Sequence, residues 1–573
     1  MKHSPLPRPE AQIDIDSVFH AGIGRLTGGL SPAALTSAGL DWWMHLAGSP
    51  RKQAELAQRA WSGAFEAWMT PLRCALDGGE GRLCKRAAAD KRFRQEEWES
   101  YPFNLFSHWF LIQQDWWQAA TSGIEGIEPA HARMVEFMAR QTLDMMAPSN
   151  FIATNPTVLA RIQEERGANL ARGFQNWLED LHQLLGTDTP EPSDYRVGEN
   201  VAVTPGEVVF RNRLIELIRY RPTTKTVRPE PILVVPAWIM KYYILDLSPH
   251  NSLVRYLRDQ GFEVYMISWK NPEKSDADLG FNDYYDLGLG AALDVIAPQQ
   301  TDRVHAVGYC LGGTMLATGA AAMARDGDAR LATLSMLAAQ VDFTEAGELS
   351  LFISESQVTF LEDIMAMQGY LRADQMAGTF QMLRSNDLIW SRVIRHYLLG
   401  ERTAMNDLMA WNADTTRMPA RMHSEYLRQF FLENRLARGQ FEVAGRAVAL
   451  TDITAPIFCL ATEKDHVSPW RSVYKIGLLT DTDVTFCLTA GGHNGGVLSE
   501  PGHPRRHHRI EDRAQRSDHV GPEEWLADTP RRDGSWWPAW IPWLEARSGS
   551  PVRPEAGGRG HALGPAPGSY VFA

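Results

Sequence analysis

Along the first third of the chain, apolar positions recur at helical spacing. Ala57, Trp61, Ala64, Phe65 and Trp68 share one face of a helix that starts behind Ser49-Pro50, and a polar-apolar pattern from Thr157 to Leu185 repeats the behaviour. These patterns predict a helical N-terminal domain over 21–195, with 1–20 disordered. A turn-rich linker from Gly186 to Pro205, carrying Pro190, Pro192 and Gly198, closes it. From about 206 the period changes. Short β-branched runs at Ile232–Val235, Val264–Ser268, Val304–Val307, Leu334–Leu337, Ile457–Leu460 and Thr485–Leu488 alternate with helical stretches. Such alternation specifies a largely parallel sheet covered by helices. The long interval between the fourth and fifth runs holds helical patterns, including Asp387 to Leu399, and no evident strand. It predicts a helical cap inserted at about 342–450 into a catalytic domain spanning 196–545. The Gly/Pro-rich tail, 546–573, is expected to be extended or poorly ordered.

Composition narrows the possibilities. The chain has 573 residues, 44% hydrophobic and 22% charged, with a net charge of -12. That is a globular composition, and the acidic balance argues against a nucleic-acid partner. The first sixteen residues lack the apolar core of a signal peptide, and no apolar run is long enough to span a bilayer, so a cytoplasmic location is expected. Five scattered cysteines with no C-x-x-C pair indicate neither a disulfide framework nor a zinc site. Cys459 and Cys487 lie in apolar runs and read as core. The 19 tryptophans cluster in Trp42 to Trp117 and Trp536 to Trp543. Packing in the core and at domain interfaces is the plain reading, and contact with an apolar surface such as a lipid or polymer is the sharper one.

The chemistry centres on Gly308-Tyr309-Cys310-Leu311-Gly312-Gly313, which follows a predicted strand and precedes an Ala-rich helical pattern. It has the form of a G-x-S-x-G nucleophile elbow with cysteine at the tip. A buried Cys beside a Gly-rich turn is the bland alternative. A thiolate is a better nucleophile and leaving group than an alkoxide, which points to thioester exchange. In an α/β-hydrolase fold the acid and histidine follow the nucleophile on loops after late strands. Asp465 and His493 stand at those places. Glu463 competes with Asp465 on spacing, His466 is a weaker base candidate, and His503, His507 and His508, set among arginines, are expected to face solvent. His493 would take the thiol proton and Asp465 would orient the imidazole or help remove a proton from an incoming hydroxyl. The oxyanion hole would use the backbone N–H of Leu311 and one near Trp238 and Ile239.

Several separated segments make the chain resemble the polyhydroxyalkanoate synthases, in particular the long, single-subunit class I type. They are the cysteine box itself, Pro236-Ala237-Trp238-Ile239-Met240-Lys241 with the following Tyr242 to Leu247, Ser268-Trp269-Lys270-Asn271-Pro272, Asp465-His466-Val467-Ser468-Pro469-Trp470 and Gly534-Ser535-Trp536-Trp537-Pro538. Asp90-Lys91-Arg92-Phe93, Pro148-Ser149-Asn150-Phe151 and Asn155-Pro156 resemble that family's N-terminal domain. The resemblance implies an α/β-hydrolase fold with a Cys310, Asp465 and His493 triad. A 3-hydroxyacyl group would pass from coenzyme A to Cys310, and the hydroxyl of another acyl unit would attack that thioester. Coenzyme A is then substrate carrier and leaving group, with no retained cofactor and no metal. The implied partners are the growing polyester and its granule surface, and a homodimer is the expected assembly. Met240 stands where the family commonly has Asn, Ala237 where a second Pro is common, and Asn494 where a small apolar residue or Ile is usual. A thioesterase or polyester hydrolase using the same triad is the enzymatic rival, and a non-catalytic granule-binding protein the other.

Overall fold

The computed structural model describes residues 15–27, 29–76, 89–185, 194–372, 375, 385–402, 404–414, 416–515, 518–554 and 561–573. They form two units. One comprises 30–192 with 377–404, and the other comprises 1–29, 193–376 and 405–573.

The first unit is helical, with helices at Pro32–Ala47, Pro50–Leu76, Phe103–Thr121, Pro129–Met145, Pro156–Glu165 and Ala168–Leu185. Local signals set their starts. Ser31 and Asn155 accept the N–H groups of Ala34 and Val158, and a proline at the first helical position follows each cap. The pattern from Thr157 to Leu185 is broken into two helices where Arg166 and Gly167 adopt positive φ of 51° and 83°. Helical spacing correctly places Trp61, Phe65 and Trp68 on one face of Pro50–Leu76, but that face points outward. These residues are 79%, 57% and 74% exposed, so the plain expectation of core packing is corrected for this stripe. The inner face is carried by Leu56, Gly63 and Thr70, and a Cβ at Gly63 would stand 2.7 Å from the Ile112 side chain. Spacing defines a face; only neighbours decide which way it turns. The helical stretch predicted at Asp387 to Leu399 also belongs to this unit. Asn169 and Asn176 donate to the carbonyls of Leu398 and His396, each at 2.8 Å, and the Tyr397 hydroxyl donates to Asp180. The expected cap at 342–450 is therefore divided, with the described residues 385–402 packed among the N-terminal helices.

The second unit is built on an eleven-stranded sheet. In chain order its strands are β1 Glu207–Arg211, β2 Ile215–Tyr220, β3 Ile232–Val235, β4 Val264–Trp269, β5 Val304–Tyr309, β6 Leu331–Leu337, β7 Ile457–Thr462, β8 Val484–Thr489, β9 His507–Arg513, β10 Arg532–Asp533 and β11 Gly564–Pro565. Their spatial order is β10-β9-β8-β7-β6-β5-β3-β4-β2-β1-β11. The central run from β8 to β4 is parallel, and both flanks are antiparallel. The parallel strands are buried on both faces, which is why they read as apolar runs. Leu233, Val235 and Ala306 face the side covered by helix Leu311–Arg325; Ile232, Val234 and Val307 face the side covered by helix Trp537–Glu545. Trp536, Trp537, Trp540 and Trp543 are core on that side, and each indole N–H has an acceptor. Among the described residues no helix is long and apolar enough to cross a membrane.

Two boundary expectations change. Ile15–Thr27 is a helix of this second unit, packed on Glu355–Gln368 with His20 bonded to Asp363 at 2.8 Å, whereas disorder was expected to residue 20 and the helical domain from 21. Residues 1–14 lie outside the described residues. The tail, expected to be extended or poorly ordered, is built into the sheet edge beyond residue 561. Strand β11 pairs with β1, and the buried Glu216 carboxylate accepts the N–H groups of Ser569 and Tyr570 at 2.8 and 2.9 Å. Composition showed little apolar surface there, and the tail is anchored by these hydrogen bonds together with the burial of Val571.

Candidate active site

Strand β5 ends and helix Leu311–Arg325 begins at Cys310, whose backbone takes φ 53°, ψ -122°. A non-glycine residue in this region is strained, and the surroundings hold it there. The Cys310 N–H donates to Leu337 O at 2.9 Å, and its carbonyl accepts from Gly313 N at 2.9 Å. The glycines of the elbow are required by contact. A Cβ at Gly308 would lie 2.4 Å from Gly313 Cα, one at Gly312 would lie 2.0 Å from Val235 O, and one at Gly313 2.3 Å from Ala339 Cβ.

Asp465 follows β7 and His493 follows β8, adjacent parallel strands, so their side chains meet above the carboxyl edge of the sheet. His493 Nδ1 and Asp465 Oδ2 are 2.8 Å apart. The second Asp465 oxygen accepts the N–H groups of Val467 and Ser468, both at 2.8 Å. Burial tends to raise the Asp465 pKa, but the charge and hydrogen bond of His493, together with these two N–H groups, hold it below the usual value. For His493 burial acts to lower the pKa. The charges of Asp465 and Cys310, with a hydrogen bond to each, outweigh it and raise the imidazole well above its usual value. The arrangement favours imidazolium at His493, beside the Cys310 sulfur. Glu463 is engaged elsewhere, with His507 Nε2 at 2.9 Å, so geometry separates the two carboxylate candidates. His466 is exposed.

The expectation that His507 and His508 face solvent is corrected. Both lie in β9, where His508 is buried and its Nδ1 is 3.1 Å from Gly534 O. Flanking arginines concealed a strand whose alternate residues turn inward.

The predicted oxyanion segments are brought together. Leu311 is the first residue of its helix, where N–H groups lack intrahelical acceptors, and the chain leaving β3 runs against Gly312. The segment around Trp238 and Ile239 is held from the inserted region. Thr416 donates through its hydroxyl to Trp238 O at 3.0 Å and through its N–H to Ile239 O at 3.4 Å, while the Trp411 indole donates to Lys241 O at 2.8 Å. Tyr426, Phe430 and Phe343 pack as an apolar wall with Trp238, and burial, with a further contribution from Cys310, pushes the Tyr426 phenol well above its usual value.

Residue-by-residue reading missed the supports of the candidate base, His493. The Trp536 and Trp537 indoles donate to the carbonyls of Gly496 and Val497 at 3.2 and 3.0 Å, pinning the short helix that His493 opens. The Tyr309 hydroxyl donates to Asn494 Oδ1 at 2.5 Å.

Residues 89–257 match the family described as "Poly-beta-hydroxybutyrate polymerase (PhaC) N-terminus", residues 9–52 match "Poly-beta-hydroxybutyrate polymerase N terminal", and residues 230–492 match the alpha/beta hydrolase fold. A poly(3-hydroxyalkanoate) polymerase from Methylorubrum extorquens is 42% identical over 491 residues, covering 84% of this chain and 80% of the relative. The chain belongs to the poly(3-hydroxyalkanoate) polymerase family. Further relatives, each named poly(3-hydroxyalkanoate) polymerase subunit PhaC, share that assignment. The one from Rhizobium meliloti is 37% identical over 541 residues, covering 93% of this chain and 87% of its own length. The one from Cupriavidus necator is 35% identical over 495 residues, covering 84% and 83%. The sheet order and the nucleophile elbow agree with the hydrolase match. The sequence-based expectations of family and fold class therefore hold.

Proposed function

We propose that this chain polymerises 3-hydroxyacyl groups delivered as coenzyme A thioesters, with Cys310, His493 and Asp465 as its catalytic residues. The observation that carries the reading is a strained Cys310 beside a partly buried imidazole bonded to a buried carboxylate, in a chain of the polymerase family. The Cys310 proton passes to His493, and the sulfur attacks the thioester carbonyl carbon. The resulting oxyanion is received by the Leu311 N–H and an N–H near Trp238 or Ile239. Collapse breaks the carbon-sulfur bond to coenzyme A, whose thiolate takes the proton from His493. The acyl group now rests on Cys310. The 3-hydroxyl of another acyl unit then gives its proton to His493 and attacks, forming the ester bond and returning the electron pair to the Cys310 sulfur. Asp465 holds the imidazole and balances its charge through both steps.

Water competes with that hydroxyl. The wall of Tyr426, Phe430, Phe343 and Trp238 supports transfer over hydrolysis, because it leaves an apolar surround at the sulfur. Coenzyme A enters and leaves with the substrate. The proposed macromolecular partners are the polyester granule and a second copy of the chain, in the cytoplasm. The outward stripe of Trp61, Phe65 and Trp68 supports the first, since it offers aromatic area to an apolar surface.

The deciding experiment supplies 3-hydroxybutyryl-CoA and longer homologues and follows free thiol, soluble hydroxy acid and insoluble polymer, with Cys310→Ala as control. Thiol release matched by polymer is expected. Thiol release matched by free acid would overturn the synthase reading in favour of a thioesterase, and an active control would overturn the nucleophile.

A further inference from the structure

The proposed base sits on a segment with little stiffness of its own. Gly491, Gly492, Gly495 and Gly496 surround His493 and Asn494, and glycine leaves the backbone its greatest freedom. The two tryptophan indoles hold the far end of this segment through carbonyls, as described above. Its near end is held through side chains, by Asp465 on His493 and by Tyr309 on Asn494.

The second of these bonds has a particular placement. Tyr309 immediately precedes the proposed nucleophile and Asn494 immediately follows the proposed base, so one hydrogen bond of 2.5 Å crosslinks the end of β5 to the short helix a single residue away from the reacting pair on each side. The Tyr309 ring also lies against the His493 imidazole, with centroids 5.6 Å apart and planes inclined by 33°. Tyr309 is buried, and a buried hydroxyl without an acceptor is costly. Phenylalanine would fill the same space without needing an acceptor. Asn494 supplies the oxygen that the phenol requires. Its amide group in turn reaches Asn412 Oδ1 at 3.4 Å.

We propose that Tyr309 and Asn494 form a matched strap that positions His493 against Cys310. They are positioning residues acting through His493. The inference rests on the assignment of Cys310 and His493 as the reacting pair.

The test uses the full-length enzyme and three variants, Tyr309→Phe, Asn494→Ala and the double substitution, with two readouts. One is the rate at which iodoacetamide alkylates Cys310 at fixed pH without substrate, followed by peptide mass mapping. The other is initial coenzyme A release from 3-hydroxybutyryl-CoA, resolved into kcat and KM. Each single substitution is expected to lower both the alkylation rate and kcat about tenfold, with KM changed less than about twofold. The double variant should fall no further than either single, because one bond is removed in all three. Wild-type rates in Tyr309→Phe, or losses that multiply in the double variant, would overturn the strap. Thermal denaturation checks folding, and should Asn494→Ala be unstable, Asn494→Leu, similar in size and without an acceptor, takes its place. Alkylation is measured on the free enzyme. It judges the strap even if the products show hydrolysis rather than polymerisation, so the two readings fail separately.

Discussion

Substituting alanine for one glycine of the elbow puts a single methyl group against backbone. At Gly312 the new Cβ would stand 2.0 Å from Val235 O, 2.7 Å from Val235 C and 2.8 Å from Pro236 O. Ordinary contact begins at 3.4 Å, so the closest approach is over an ångström short. No rotamer can relieve it, because every obstructing atom is main chain. Either the end of β3 or the first turn of helix Leu311–Arg325 must move; the helix turn carries the proposed donor at Leu311, and the chain leaving β3 leads to the proposed donor near Trp238 and Ile239. Overpacking of this kind costs about 1–3 kcal/mol. A displacement near 1 Å at reacting groups lowers kcat about a hundredfold. Gly313→Ala offers the internal control. Its nearest obstacle, at 2.3 Å, is the Ala339 side chain, and the next, Gly308 O, lies at 3.0 Å. Ala339→Gly should therefore recover much of the loss in Gly313→Ala and none of the loss in Gly312→Ala. Urea unfolding reads the stability, and coenzyme A release from 3-hydroxybutyryl-CoA reads the rate. A Gly312→Ala enzyme with wild-type stability and rate, or equal rescue of both variants by Ala339→Gly, would refute the steric account of the elbow.

Two further outcomes follow from charges whose surroundings are known. Asp465 has a folded-state pKa below its ordinary value, so its contribution to stability is complete above the ordinary carboxylate pKa and is lost as pH falls through the folded value. His493 has the opposite shift, and its contribution is complete below the ordinary imidazole pKa and lost as pH rises through the raised value. The urea midpoint advantage of wild type over Asp465→Asn should therefore be widest between these limits and narrow toward both acid and strong alkali; an advantage constant with pH would refute the ion pair. Glu216→Gln should loosen the C-terminal tail, since the buried carboxylate accepts two backbone N–H groups, the Ser569 hydroxyl and the Arg211 guanidinium. A loss of about 2–4 kcal/mol and faster proteolysis beyond residue 553 are expected, and unchanged protection of the tail would count against the anchor.

The six parallel strands were legible because burial on both faces makes each an uninterrupted apolar run, and parallel pairing forces helices between them. The candidate triad was legible for a related reason: strand ends fix where loops emerge, so Cys310, Asp465 and His493 could be placed in order along one sheet edge. Sequence also placed Asn494 directly after His493. It did not show the partner, because Tyr309 lies 185 residues away in the chain and the bond between them exists only when β5 and β8 share a sheet. The same limit explains the outer strands, whose charged residues occupy a sheet edge, and the helical stretch at 385–399, whose apolar spacing is satisfied by the N-terminal helices rather than by its neighbours in sequence. It explains the tryptophans as well. Trp536 to Trp543 and Trp61 to Trp68 are equally apolar as sequence, yet the first group is buried against β7 and β8 and the second is exposed. Periodicity and residue chemistry determine which elements form and which atoms are reactive. Which faces are covered, and what holds the proposed base in place, depend on contacts between distant segments, and those are set only when the chain is folded.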